Sequence, residues 1–143
     1  MVVEQMVEPV DLIAQSMGGL IAIKAALAAP DRVRRLVLTG TSGGLPVDDL
    51  GGADWRTTYR SEFPNAATWI TEVREDLSAR LPSISAPTLL LWGDRDSVSP
   101  LSVGKRLQDL LPDAVLRVVA GGGHDFVQTH AAEIAPLMAD HLR

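Results

Sequence analysis

The chain contains no cysteine, which removes disulfide staples, thiolate catalysis and cysteine-based metal sites from consideration. Histidine is scarce too: His124, His130 and His141 are the three present. Their gaps match no compact metal-ligand spacing, so no metal and no zinc site is expected. Lysine and arginine form no run, and the formal charge of −5 with a pI near 5.0 lacks the electrostatic footprint of a nucleic-acid or anionic-membrane binder. No apolar run approaches the roughly 20 residues that a spanning helix needs. Glu4 and Glu8 interrupt the N-terminal stretch, so neither a signal peptide nor a membrane span is expected, and the expected location is cytoplasmic. Set against these absences, 46% hydrophobic and 22% charged residues over a length of 143 describe one ordinary globular domain, residues 1–143, able to bury a real core.

The most informative stretch is Val10-Asp11-Leu12-Ile13-Ala14-Gln15-Ser16-Met17-Gly18-Gly19. Residues 10–14 are an apolar run short enough for a buried strand, and a long apolar helix follows the two glycines, so Ser16 falls on a strand-to-helix corner. So sharp a corner strains the serine backbone and brings the residues two before and two after it together. Those are Ala14 and Gly18, both small, with one methyl group of clearance given up at Ala14. At the start of the helix the N–H of Met17 has no partner within the helix, and it points to where a tetrahedral oxyanion would form. A serine that merely caps the helix would use the same residues, so the rest of the chain has to decide.

Residues 1–9 read as the end of a helix and a loop. Residues 18–29 are apolar on every side except at Lys24, which predicts a helix buried against a sheet and stopped by Pro30. Residues 33–39 form a second strand, closed by Gly40 and the turn Thr41-Ser42-Gly43-Gly44. Between Pro46 and Pro82 the strand-helix rhythm lapses. This stretch holds Trp55, Tyr59, Phe63 and Trp69, four of the six aromatic residues, and its acids outnumber its arginines. Asn65 is placed to cap a helix over residues 66–79, and the whole of 46–82 reads as a small excursion lying over one face of the sheet. The alternation then resumes, with a strand at 87–92, a helix at 100–111 with Pro100 in its first turn, a strand at 115–119 and a closing helix at 129–142 that Pro136 is expected to kink. The fold class expected is α/β, a mostly parallel sheet of about four strands with flanking helices.

In such a sheet ligands bind beyond the carboxyl ends of the strands. Gly93-Asp94-Arg95-Asp96 follows the third strand and Gly121-Gly122-Gly123-His124-Asp125 the fourth. With Ser16 they place a nucleophile, an acid and a base on one edge, in the order serine, aspartate, histidine. His130 and His141, in or beside the last helix, read as surface residues. Asp125 reads as a helix-start or loop-ordering carboxylate, and Ser42 as a turn residue.

The three segments Ala14-Gln15-Ser16-Met17-Gly18-Gly19, residues 87–96 and Gly122-Gly123-His124 together resemble the C-terminal half of an α/β-hydrolase-fold serine hydrolase, from the nucleophile elbow onward, over essentially the whole chain. The resemblance implies catalytic roles for Ser16 as nucleophile, His124 as general base and Asp96 as orienting acid. Asp96 is favoured over its rival Asp94 because it is the third residue after the glycine. The resemblance also implies Met17 as an oxyanion donor, a cap or lid over 46–82 with Trp55, Tyr59, Phe63 and Trp69 against substrate, and no cofactor. The function it implies is cleavage of a small-molecule carboxylic ester through an acyl-enzyme on Ser16, with uncharged substrates of short to medium acyl chain expected. Carbon–carbon bond hydrolysis, enol-lactonase and perhydrolase chemistry use the same residues, and a non-catalytic, receptor-like module keeps them without turnover.

The resembling fold has more strands than the four found here. The strands beyond 10–14 and the loop that supplies a second oxyanion donor have no counterpart in this sequence. An open apolar strand edge is a template for another chain. A homo-oligomer pairing through the strand at 10–14 is therefore expected, with a fragment of a longer product as the alternative.

Overall fold

The computed structural model describes residues 2–143. Four parallel strands form one sheet in the order β1-β2-β3-β4: β1 (Val10–Gln15), β2 (Val33–Thr39), β3 (Thr88–Gly93) and β4 (Ala114–Val119). Successive side chains in a strand point to opposite faces, and the apolar runs of β2 and β3 fill both. Leu36, Leu38, Leu90 and Trp92 belong to one core, shared with α1 (Val2–Gln5), α2 (Met17–Ala28) and α5 (Leu101–Leu110). Val37, Leu89 and Leu91 belong to a second, closed by Phe126 of the single turn α6 (Phe126–Thr129) and by Ile134 of α7 (Ala131–His141). A Cβ on Gly104 would stand 2.7 Å from the Trp92 ring, so α5 packs its backbone directly on that indole.

The helix expected over 66–79 is absent as such. The excursion instead holds α3 (Trp55–Glu62) and the single turn α4 (Trp69–Glu72). Helix α3 starts because the Asp54 carboxylate accepts from the N–H groups of Arg56 and Thr57, so Asp54, and not Asn65, caps a helix in this excursion. It ends at Phe63, the residue before Pro64, where the α conformation is disfavoured. Beyond Glu72 the helix cannot propagate. Val73 is extended at ψ 127°, the Asp76 side chain takes the Ser78 N–H, and the Leu77 N–H donates to the Gly44 carbonyl. These local and long-range partners outbid the helical ladder. The closing helix begins at Ala131 rather than 129, and it runs through Pro136 to His141. His130 stands at the start of this helix and His141 at its end, each half-buried.

Strand β1 pairs with β2 alone among the described residues. Asp11 on it receives Nε and Nη2 of Arg34 from β2 at 2.8 and 2.5 Å, and the Arg34 hydrogen bond holds the Asp11 carboxyl below its ordinary range. Its other edge is open, and beside that edge Ile13 is 57% exposed.

Candidate active site

Ser16 ends β1 and starts α2 with φ 51° and ψ −123°, the one positive φ outside glycine among the described residues. A non-glycine residue in this region is strained, and such strain persists only where the surroundings impose it. Two anchors impose it here: the Ser16 N–H donates to the Thr39 carbonyl at 3.0 Å, and the first turn of α2 is pressed on the loop after β2. A Cβ on Gly19 would lie 2.3 to 2.5 Å from the side-chain atoms of Thr41. At Gly18 it would lie 3.8 Å from the Ala14 Cβ, an ordinary contact. The close approach at this corner is therefore between Gly19 and Thr41, and alanine at position 14 crowds nothing.

Beyond β3, Asp96 turns back under the sheet edge with its side chain fully buried. Its Oδ1 accepts from the N–H groups of Val98 and Ser99, each at 2.9 Å, and its Oδ2 lies 2.9 Å from His124 Nδ1. The carboxylate at Nδ1 fixes the imidazole tautomer with its hydrogen on Nδ1. That leaves Nε2, 3.1 Å from Ser16 Oγ, to accept the serine proton. Asp94 takes the other job: its Oδ1 accepts from the Gly121 N–H at 2.8 Å and ties the β3 loop to the β4 loop. The choice between the two aspartates is thus made by the backbone, which presents donors to each in a different place.

Residues that the sequence alone did not single out hold this arrangement. Gly40, at φ 48°, keeps its α-carbon under the pair, where a Cβ would come within 3.0 Å of Asp96 Oδ2. Gln15 Nε2 donates to the His124 carbonyl at 3.2 Å. Ser99 Oγ donates to the Thr41 carbonyl and Trp92 Nε1 to the Ser99 carbonyl, at 3.0 and 2.8 Å. The available signal was positional: glycine stands at or just past the carboxyl end of both β2 and β3.

Ser16 and His124 open onto a chamber of about 780 Å³ lined by Met17, Trp55, Tyr59 and Trp69 among others. The Met17 N–H is the first of α2 and has no partner one turn back within the helix. Phe63 is not among the lining residues. It packs on Tyr59 with ring centroids 4.9 Å apart and is 53% exposed, one turn further along and past the last residue of α3. A smaller cavity of about 220 Å³, lined by Met17, Ser42, Trp55 and Arg56 among others, adjoins the chamber. The Ser42 hydroxyl accepts from the Gly44 N–H at 3.3 Å, as a turn residue does. Among the described residues no group of three or more histidines and carboxylates could hold a metal ion, and no helix is long and apolar enough to cross a membrane.

A parallel sheet with a strained serine between its first strand and the following helix, and an acid and a histidine beyond two later strand ends, is the architecture of the α/β-hydrolase fold. The family profile described as alpha/beta hydrolase fold matches residues 7–76, that of TAP-like proteins matches residues 53–143, and the chain belongs to the α/β-hydrolase family. It is 27% identical over 181 aligned positions to a 2-hydroxy-6-oxononadienedioate/2-hydroxy-6-oxononatrienedioate hydrolase of Paraburkholderia xenovorans, covering 95% of this chain and 63% of that protein. It is 26% identical to a pimeloyl-[acyl-carrier protein] methyl ester esterase of Chromobacterium violaceum, over 94% of this chain and 70% of the other. Among solved structures, an α/β-hydrolase enzyme from the metagenome of sediments of the Mar Chica lagoon, Morocco, superposes with a TM-score of 0.75 at 30% identity, covering 93% of this chain and 60% of that one. The chain thus spans about three fifths of the length of the first and the last of these.

Proposed function

We propose that this chain is a serine hydrolase of carboxylic esters. One observation carries the reading: the unbroken relay from Ser16 Oγ through His124 to Asp96, with contacts of 3.1 and 2.9 Å, opening onto the 780 Å³ chamber. A serine hydroxyl is a weak nucleophile at neutral pH, and a base held in the right tautomer removes that limit. As Ser16 Oγ bonds to the acyl carbon, its proton passes to His124 Nε2 and the carbonyl π pair moves to the oxygen, beside the Met17 N–H. Collapse of the tetrahedral species breaks the bond to the alcohol oxygen, which takes the proton from His124. Water then attacks the acyl-enzyme, giving its proton to His124, and the carboxylic acid leaves as the proton returns to Ser16. Asp96 holds the imidazolium throughout. With Met17 as the one oxyanion donor assigned, turnover is expected to be about 10²–10³-fold below that of a two-donor site. In this reading residues 46–82, with Trp55, Tyr59 and Trp69, act as a lid over the acyl pocket.

Ester cleavage is favoured over carbon–carbon cleavage by the chamber lining, which among the described residues includes no lysine or arginine. The Paraburkholderia relative is named for dioate substrates, whose two carboxylates call for cationic partners. The Chromobacterium relative is named for a methyl ester. The reading is tested by incubating the protein with a fluorophosphonate and mapping the adduct by mass spectrometry. One phosphonyl group on the peptide containing Ser16, abolished in His124→Ala, is the expected result. A folded protein left unlabelled would overturn it in favour of a non-catalytic binding module.

We also propose that two copies associate through β1, pairing their open edges antiparallel about a two-fold axis and covering Ile13. The supporting observation is the row of unpaired backbone groups along β1 beside an Ile13 that is 57% exposed. Sedimentation as a dimer at micromolar concentration is expected, and a clean monomer there would sink the idea.

A further inference from the structure

Among the described residues the chamber over Ser16 is lined by two carboxylates, Asp54 and Glu62, and by no lysine or arginine. None of the neighbouring cations is among its lining residues, although one of them covers a face of the Trp55 ring. The Arg56 guanidinium sits 4.9 Å from the centroid of the Trp55 ring, lines the smaller cavity and pairs with Asp48 at 3.3 Å. Arg60 Nε donates to Thr71 Oγ1 at 2.9 Å, Arg74 Nη1 to the Thr71 carbonyl at 2.8 Å, and Lys24 Nζ to Glu75 at 2.6 Å. The Asp54 carboxylate is fixed as the cap of α3, and the Thr57 hydroxyl and N–H hold it below its ordinary pKa, so it stays charged. Trp55 and Tyr59, edge to face at 6.0 Å, and Trp69 add aromatic surface to the same chamber.

Fixed negative charge beside aromatic faces, in a concave site, attracts cations and repels anions. We infer that the chamber selects esters carrying a positive charge, an ammonium group on the acyl or the alcohol part, over neutral esters and above all over carboxylate-bearing ones. Sequence composition suggested an uncharged substrate because the aromatic residues of 46–82 are legible there. Which way the neighbouring arginines turn is not. The inference rests on Ser16 being the acylated group, and its test separates the two.

Three thioacetates of matched shape serve as probes, their thiols bearing a trimethylammonium group, its tert-butyl isostere or a carboxylate. Thiol release is read with a chromogenic thiol reagent, and a protein without cysteine gives no background. The expected order of kcat/KM is cation over isostere by about tenfold and isostere over anion by about tenfold, mostly through KM, with both ratios shrinking in high salt. Glu62→Gln should narrow the cation preference to about threefold, since one of two carboxylates remains. In parallel, binding of the ammonium probe and its isostere to Ser16→Ala is followed by the tryptophan fluorescence of Trp55 and Trp69. Equal binding of the two probes overturns the charge selectivity, whatever the turnover. Preferred binding of the cation with no Ser16-dependent turnover of any probe overturns the hydrolase reading and leaves the selectivity standing.

Discussion

Asp96→Asn is expected to lower kcat for a short p-nitrophenyl ester by about 10⁴-fold, nearly as much as Ser16→Ala, while leaving KM and folding close to unchanged. The reason lies in the way the carboxylate is held. Its Oδ1 accepts from two backbone N–H groups, those of Val98 and Ser99. An asparagine must therefore keep its carbonyl oxygen on that side and turn its NH₂ toward His124 Nδ1. A donor facing Nδ1 forces the imidazole hydrogen onto Nε2, which then has no lone pair for the Ser16 proton. Size and backbone contacts are conserved, so a melting temperature within a few degrees of wild type accompanies the loss. Asp94→Asn is the contrast, because it touches only the bond to the Gly121 N–H. Its amide oxygen still accepts from that N–H, so only the charge assistance is lost, at most about 1 kcal/mol of stability and little of the rate. If Asp96→Asn retains a tenth of the activity, the 2.9 Å contact does not orient the base, and the relay must be assigned differently.

That contrast shows what the sequence made legible. The strands and the long helix α2 declared themselves through apolar runs of the right length, and a serine, an acid and a histidine along one sheet edge followed from topology, while Asp96 rather than Asp94 was implied by the family resemblance. The excursion did not. Its helices are one to two turns long and half-exposed, and their boundaries depend on which carboxylate finds backbone donors. Asp54 finds them at the start of α3, whereas Asp76 turns onto Ser78 and halts a helix. Competition of this kind is decided by tertiary contacts such as Leu77 to Gly44, which no local pattern encodes. The same limit explains Phe63, which belongs to the aromatic cluster by composition but stands past the end of α3 and outside the chamber. It explains Gly19 too: the corner's tight contact is with Thr41, a residue over twenty positions away in the chain, and a reading confined to the elbow sequence placed it at Gly18.

The same reasoning singles out Gly93, whose replacement by alanine should have the largest effect on the fold. A Cβ there would stand 2.2 Å from the Gly122 carbonyl oxygen, 2.6 Å from its carbon and 3.0 Å from the Gly123 oxygen. All three are backbone atoms, so no flexible side chain can yield. The segment cannot slide away either: the Arg95 N–H donates to the Gly122 carbonyl at 2.9 Å, and Gly93 itself is in register with Val119 on β4. Relief requires the His124 loop to move by about an ångström. Overpacking of this sort costs about 1–3 kcal/mol, and the hydrogen bonds broken in the shift about 1 kcal/mol each. The sum is a large part of a typical domain's stability, and a fall in melting temperature of about 10 °C or more is expected. Displacing His124 by that distance should also cut the rate of any surviving protein by about 10²-fold. Gly18→Ala supplies the control, since its Cβ meets only Ala14 at 3.8 Å inside α2 and gains helix propensity, so its stability should hold or rise. Thermal unfolding of the two variants side by side decides the matter. Equal melting temperatures for Gly93→Ala and wild type would mean that the two loops are not locked backbone to backbone, and the placement of His124 would then rest on side-chain contacts from Asp94, Asp96 and Gln15.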